Sequence, residues 1–128
     1  RHADMNAKIL IADDEPHMRR IIELSLRKAG CEVLVARDGR EAVEVAAREL
    51  PALVVLDVSM PGVDGFMALR QLKASPATAA IPVIVLTSRG HAVAREEAAT
   101  SGAALYVTKP FSPSALAAEV RRMVGDRA

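Results

Sequence analysis

The chain has 128 residues, 51% of them hydrophobic, and a formal net charge of +1. That length suits one domain with a sizeable core, and interspersed charge of near-zero sum argues against the basic face that nucleic acid or an anionic membrane surface selects. A single cysteine, Cys31, excludes an internal disulfide framework and fits a reducing compartment; the apolar runs are too short to span a bilayer, so a cytoplasmic protein is expected.

Residues 1–6 are polar and are expected to form a tail, which leaves 7–125 as the domain. Lys8 to Ala12 (KILIA) predicts a first strand, followed directly by Asp13, Asp14 and Glu15. Pro16 suits the first turn of a helix, and Met18, Ile21, Ile22, Leu26 and Ala29 share one face before Gly30 stops it. Glu32 to Ala36 predicts a second strand. After the Asp38-Gly39 turn comes a second helix with Val43, Ala46, Ala47 and Leu50 as its buried stripe, ended by Pro51.

The third strand is the continuous apolar run Leu53 to Leu56, of the kind buried on both faces of a parallel sheet. Asp57 interrupts it. A carboxylate at that place loses hydration and needs a task at the strand's end. Pro61-Gly62 and Asp64-Gly65 are turn pairs, and a third helix begins at about Phe66 with Leu69 and Leu72 facing inward. Pro82 to Leu86 predicts a fourth strand ending at Thr87, and residues 92–101 a fourth helix with a weak apolar stripe, closed by Gly102. Ala104 to Val107 predicts a fifth strand leading to Thr108, Lys109 and Pro110. Ser112 then caps a fifth helix with Pro113 in its first turn and Leu116, Val120 and Val124 inward.

Strict alternation of strand and helix implies an α/β fold: a doubly wound parallel sheet with right-handed crossovers. Five strands fit the order 2-1-3-4-5 of flavodoxin-like folds. In that order Asp13 and Asp14 from the first strand meet Asp57 from the third, with Thr87 and Lys109 on the same carboxyl edge. Three gathered carboxylates repel one another unless a positive group sits among them. Magnesium, which takes one or two carboxylates plus phosphate oxygens and keeps several waters, suits such a shallow acidic rim. The set then reads as phosphoryl-transfer machinery: Asp57 the nucleophile, Lys109 and the cation neutralising the transferring oxygens, Thr87 donating a hydrogen bond to one of them.

These residues, together with the MPGVDG turn after Asp57, Thr87-Ser88, Tyr106 and Lys109-Pro110-Phe111, resemble the response regulator receiver domain, the CheY-like fold, over residues 7 to 125. The resemblance implies that Asp57 is phosphorylated by a histidine kinase or phosphotransfer protein. It implies Mg2+ held by Asp14, Asp57 and the backbone carbonyl of Ser59, with Asp13 acting largely through water. By the same likeness Thr87 and Tyr106 are switch residues, the Lys109-Pro110 bond is cis, and the output or dimer face is built from the fourth helix, fifth strand and fifth helix. Such a domain is no enzyme toward other substrates, catalysing only its own phosphoryl acceptance and loss. Ser59 and Arg89, two positions beyond Asp57 and Thr87, are expected to tune the phosphoryl lifetime.

Simpler accounts compete. An Asp-Asp-Glu run before a helix is, alone, more often a solvated helix start. His17, His91, Cys31, and the cations Arg19, Arg20, Arg27 and Lys28 read as ordinary surface or packing residues, with kinase docking on the first helix as the functional counterpart. A flavin site would want a Ser/Thr/Gly-rich first loop where this one is acidic, and aspartate-based phosphatases want a second acid where Ser59 stands. A receiver-like protein-interaction module without phosphorylation control is the remaining alternative.

Overall fold

The computed structural model describes residues 7–58, 65–87 and 102–125. Five parallel strands, β1 (Lys8–Ala12), β2 (Glu32–Ala36), β3 (Leu53–Asp57), β4 (Val83–Thr87) and β5 (Leu105–Thr108), form one sheet in the order β2-β1-β3-β4-β5. The helices described are α1 (Pro16–Lys28), α2 (Gly39–Glu49), α3 (Gly65–Ala74) and the C-terminal helix α4 (Pro113–Gly125). The helix expected over 92–101 and the tail 1–6 lie outside the described residues.

The central strands are apolar on both sides because both sides are covered. Successive side chains of a strand point to opposite faces. Leu10, Ala12, Val54, Leu56, Val83 and Val85 accordingly join one buried cluster with residues of α2 and α3. Their neighbours Ile9, Ile11, Leu53, Val55, Ile84 and Leu86 join a second cluster with α1 and α4. Every residue of β3 and β4 is buried, Asp57 and Thr87 included.

Capping follows from local chemistry. Asp38 Oδ1 accepts the Glu41 N–H at 2.9 Å at the start of α2, and Ser112 Oγ accepts the Ala115 N–H at 3.1 Å at the start of α4. Pro16 and Pro113 open their helices, where a missing N–H costs nothing.

Three expectations shift. In α2 the buried residues are Gly39, Ala42, Val45 and Ala46, whereas Ala47 is exposed and Leu50 is 56% exposed. The helix is rotated so that small residues, Ala42 and Ala46, approach the sheet, and Val43 packs at the margin. Leu50 has left the helix: it is the C-cap residue, at φ 48° and ψ 61°. The fourth strand runs Val83–Thr87 rather than from Pro82, which has no N–H to give, although its carbonyl still accepts from Val54 at 3.0 Å. The fifth begins at Leu105, not Ala104, whose N–H bonds Val83 O at 2.8 Å just ahead of the ladder.

The register fixes which strand ends meet. Ala12 pairs with Leu56, so the next residues, Asp13 and Asp57, end up side by side. Thr87 pairs with Thr108, one residue short of Lys109. Gly65 holds the far side of this edge, because α3 starts directly against the end of β3. A β-carbon at Gly65 would run into Val58 Cα and stand 2.6 Å from the Asp57 carbonyl oxygen, both main-chain atoms that cannot swing aside.

Gly65→Ala is therefore expected to lower unfolding free energy in urea by roughly 1–3 kcal/mol. Gly125→Ala, where an added methyl meets nothing within 4 Å, should leave stability unchanged or raise it by up to about 1 kcal/mol.

Candidate functional site

The carboxyl edge of the sheet carries the chemistry. Asp57 ends β3 with 2% exposure, and Asp13, the residue after β1, is fully buried. Asp14 follows at the exposed rim. One carboxylate oxygen from each of Asp13, Asp14 and Asp57 lies within 4.8 Å of the others, the only such acidic grouping among the described residues. Lys109 reaches in from beyond β5 and places Nζ 2.7 Å from Asp57 Oδ2. Its own N–H donates to Thr87 O at 2.8 Å, which ties the lysine's main chain to the end of β4, and the Lys109-Pro110 bond is cis.

Four residues predicted for the site, Asp13, Asp14, Asp57 and Lys109, are thus gathered from three segments separated by more than forty positions each. Thr87, fully buried, closes β4 beside them. Tyr106 lies two pairs further back, in register with Val85, half-buried against the α2–α3 cluster. Ser59 and Arg89 lie outside the described residues, as does His91. His17 is an exposed residue of the first turn of α1, and Cys31 is a half-buried free thiol whose pKa burial pushes up.

The electrostatics are those of an incompletely neutralised pocket. Burial is the main force raising the Asp13 carboxyl to about 6; the Glu15 N–H, donating to Oδ1 at 2.9 Å, works against it, and nearby Asp57 adds to it. Asp13 Oδ2 has no hydrogen-bond partner and no exposure. For Lys109, burial favours the neutral amine, but the hydrogen bond and charge of Asp57 outweigh it and hold the pKa above the ordinary lysine value. Among the described residues, three carboxylates face one ammonium here. The donor set is all oxygen, it lacks positive charge, and one buried oxygen is unpartnered; those are properties a hard divalent cation satisfies.

Two contributors escaped the sequence reading. Gly65 reads as a turn glycine, and only the approach of α3 to β3 shows what it permits. Arg19 reads as one of four cations on α1, yet its Nη1 donates to Asp13 O at 2.9 Å.

A doubly wound sheet with this edge defines a class of acidic-pocket α/β domains, and comparison with known proteins narrows it. The family profile described as the response regulator receiver domain matches residues 9–121, and the chain belongs to that family. It is a receiver of two-component signalling. The probable transcriptional regulator ycf27 of Galdieria sulphuraria is 46% identical over 114 residues, 89% of this chain and 44% of that protein. The response regulator PleD of Caulobacter vibrioides is 41% identical over 119 residues, 93% of this chain and 26% of that protein. The chain thus spans less than half the length of these curated relatives. Among solved structures, the Vibrio cholerae chemotaxis protein CheY4 superposes with a TM-score of 0.86 at 30% identity, covering 92% of this chain and 98% of that one. The receiver domain of sensor histidine kinase PA1611 from Pseudomonas aeruginosa, solved with a magnesium ion coordinated in its active site cleft, gives a TM-score of 0.85 at 31% identity, covering 94% and 98%. No helix among the described residues is long and apolar enough to cross a membrane.

The raised Asp13 pKa gives a signed expectation. Its folded value lies above the unfolded one, so between about pH 4 and 6 the native state binds the extra proton and stability falls as pH rises. Asp13→Asn should flatten that part of a pH–stability profile. At pH 8 in metal-free buffer it should stabilise the chain by about 1–2 kcal/mol, at roughly 1.4 kcal/mol per pKa unit with a deduction for the buried amide. Equal profiles for the two proteins would contradict the burial argument.

Proposed function

We propose that Asp57 is the phosphoacceptor of this receiver, taking the phosphoryl group of a phosphohistidine on a kinase or phosphotransfer protein. The observation that carries this reading is the 2.7 Å contact between Lys109 Nζ and Asp57 Oδ2 inside a three-carboxylate cluster at the carboxyl edge of the sheet. A buried carboxylate with an ammonium already beside it is a nucleophile whose product charge has a partner waiting.

In the step itself a lone pair of an Asp57 oxygen forms the new O–P bond while the P–N bond of the phosphohistidine breaks. The departing imidazole nitrogen keeps that electron pair and takes a proton from water. Asp13, Asp14 and Asp57 are the residues that would hold Mg2+, with the Ser59 carbonyl as a further donor. When bound, that ion neutralises the carboxylates and the transferring oxygens. Lys109 follows the charge from the carboxylate to the phosphoryl group, and the Thr87 hydroxyl, one residue beyond the Asp57–Leu86 pair, donates to a phosphoryl oxygen.

On this reading Thr87 and Tyr106 shift with phosphorylation, and the face that carries β5 and α4 is the surface that a downstream protein or a second copy meets. Ser59 and Arg89 set how fast water removes the group. The chain turns over no other substrate. It works in the cytoplasm, where its phosphodonors are, and neither nucleic acid nor membrane is its partner.

Incubation with Mg2+ and acetyl phosphate, followed by intact mass, should show the gain of one phosphoryl group, lost in Asp57→Asn and lost when the metal is chelated. A gain that survives Asp57→Asn would remove the proposed acceptor. Lys109→Met should slow the reaction by about 10²–10³-fold, the usual cost of deleting one preorganised charge-stabilising donor. Thr87→Ala removes a single hydrogen bond to a charged group, about 1.5–3 kcal/mol, and should slow it at least tenfold.

A further inference from the structure

Asp13 has four polar atoms, and three are pinned. Its N–H donates to Ala36 O at 3.2 Å on β2, its carboxylate Oδ1 accepts the Glu15 N–H at 2.9 Å, and its carbonyl oxygen accepts Arg19 Nη1 at 2.9 Å. The fourth, Oδ2, is buried and unpartnered, and is therefore the oxygen left over for a cation. Of the three restraints, two are built from main-chain N–H groups that any residue supplies. The third depends on one side chain, reaching back from the first turn of α1 across the turn that carries both Asp13 and Asp14.

We propose that Arg19 is a positioning residue for the cation site: by clamping the Asp13 carbonyl it fixes the β1–α1 turn at the angle that brings Asp13 and Asp14 onto Asp57. The inference rests on the divalent-cation reading of the acidic cluster. Its physical basis is the conflict the clamp resolves. Mutual repulsion drives the three carboxylates apart, and the cheapest escape is rotation of the 13–14 peptide toward water. Without the guanidinium, the Asp13 carbonyl just after β1 must find another donor, and the same rotation lets water supply one. Mg2+ tolerates little of it, because it demands near-octahedral geometry at short metal–oxygen distances.

Arg19 acts through the main chain rather than as a counter-charge. Its hydrogen bond goes to the Asp13 carbonyl oxygen and not to the carboxylate. Its neighbour Arg20 is exposed on α1 and has no ion-pair or hydrogen-bond partner among the described residues, so it serves as a control of equal charge.

The test is a Mg2+ titration of the unphosphorylated chain followed by amide NMR shifts, which report affinity and fold together. Arg19→Met should bind Mg2+ about tenfold more weakly, the lower end of the roughly 10–100-fold seen when residues behind a metal ligand are removed. Arg19→Lys should recover most of that loss, and Arg20→Met should match wild type. A folded Arg19→Met with wild-type affinity overturns the proposal. Should that variant not fold, Arg19→Gln, a good helix former with a shorter reach, takes its place under the same criterion. A wild-type chain without Mg2+-dependent shifts would instead overturn the cation reading underneath, an outcome distinct from equal binding by both proteins.

Discussion

Crowding of like charge at one sheet edge is the constraint to which the rest of this structure answers. Asp13 and Asp57 are buried, Asp14 sits beside them, and among the described residues Lys109 is the cation paired with a carboxylate of the three. Such an arrangement cannot hold itself together, so every other element supplies the force that does. The parallel register forces Asp13 and Asp57 into adjacency because Ala12 and Leu56 are paired, and those residues are paired because both faces of β1 and β3 are needed in the core. Gly65 lets α3 begin against β3, and Arg19 ties down the turn after β1. The apolar sheet is what tolerates the polar edge.

The stabilising side of the ledger is accordingly hydrophobic. Four polar or charged residues are buried among those described, Asp13, Asp57, Thr78 and Thr87, and three of them belong to the site. Thr78 is the exception that shows the ordinary rule, since its hydroxyl donates to Leu72 O at 2.6 Å and ends there. The remaining ion pairs are mostly exposed side chains one helical turn apart, such as Arg40–Glu44 and Arg122–Glu119, and contribute tenths of a kcal/mol each. Stability given up at the edge is recovered from two apolar layers, a division common where a binding site is itself unfavourable in the empty state.

What could be read from the sequence follows the same division. Strand positions and order were legible because fully buried parallel strands leave unbroken apolar runs, and because alternation with helices restricts the topology to very few. The site was legible because Asp13, Asp14, Asp57, Thr87 and Lys109 stand at strand ends, a position that topology converts into adjacency. The phase of α2 was not. Its alanines and valines offer two stripes of similar hydrophobicity, Val43–Ala46–Ala47–Leu50 and Ala42–Val45–Ala46, and the smaller one wins by allowing closer approach to the sheet. Gly65 and Arg19 were illegible for another reason. One matters by the methyl it lacks and the other by a hydrogen bond to a main-chain atom, and neither property has a periodicity or a composition.

The positions of Thr87 and Tyr106 suggest how charge at Asp57 would be felt at a distance. Phosphorylation replaces a singly charged carboxylate by a group of nearly twofold charge with three acceptor oxygens. Thr87 is the buried residue at the end of the adjacent strand, and β5 is hydrogen-bonded to β4 by Lys109 N–H to Thr87 O as well as by the ladder, with Tyr106 opposite Val85. On the proposed reading, a threonine drawn toward the new oxygens would vacate space on that side of the sheet, and Tyr106, half-buried on the next strand, would be the residue to use it. No strand has to move for this. A ligand-like event shifts a pre-existing equilibrium only by its differential interaction with the two states, and at most a few kcal/mol are needed to reverse a population near balance. The new hydrogen bonds from Thr87 and Lys109, each to a charged acceptor, are of that size. On the proposed reading the site's crowding would be the source of its responsiveness, because carboxylates already gathered at one buried edge are readily biased by a single added charged group.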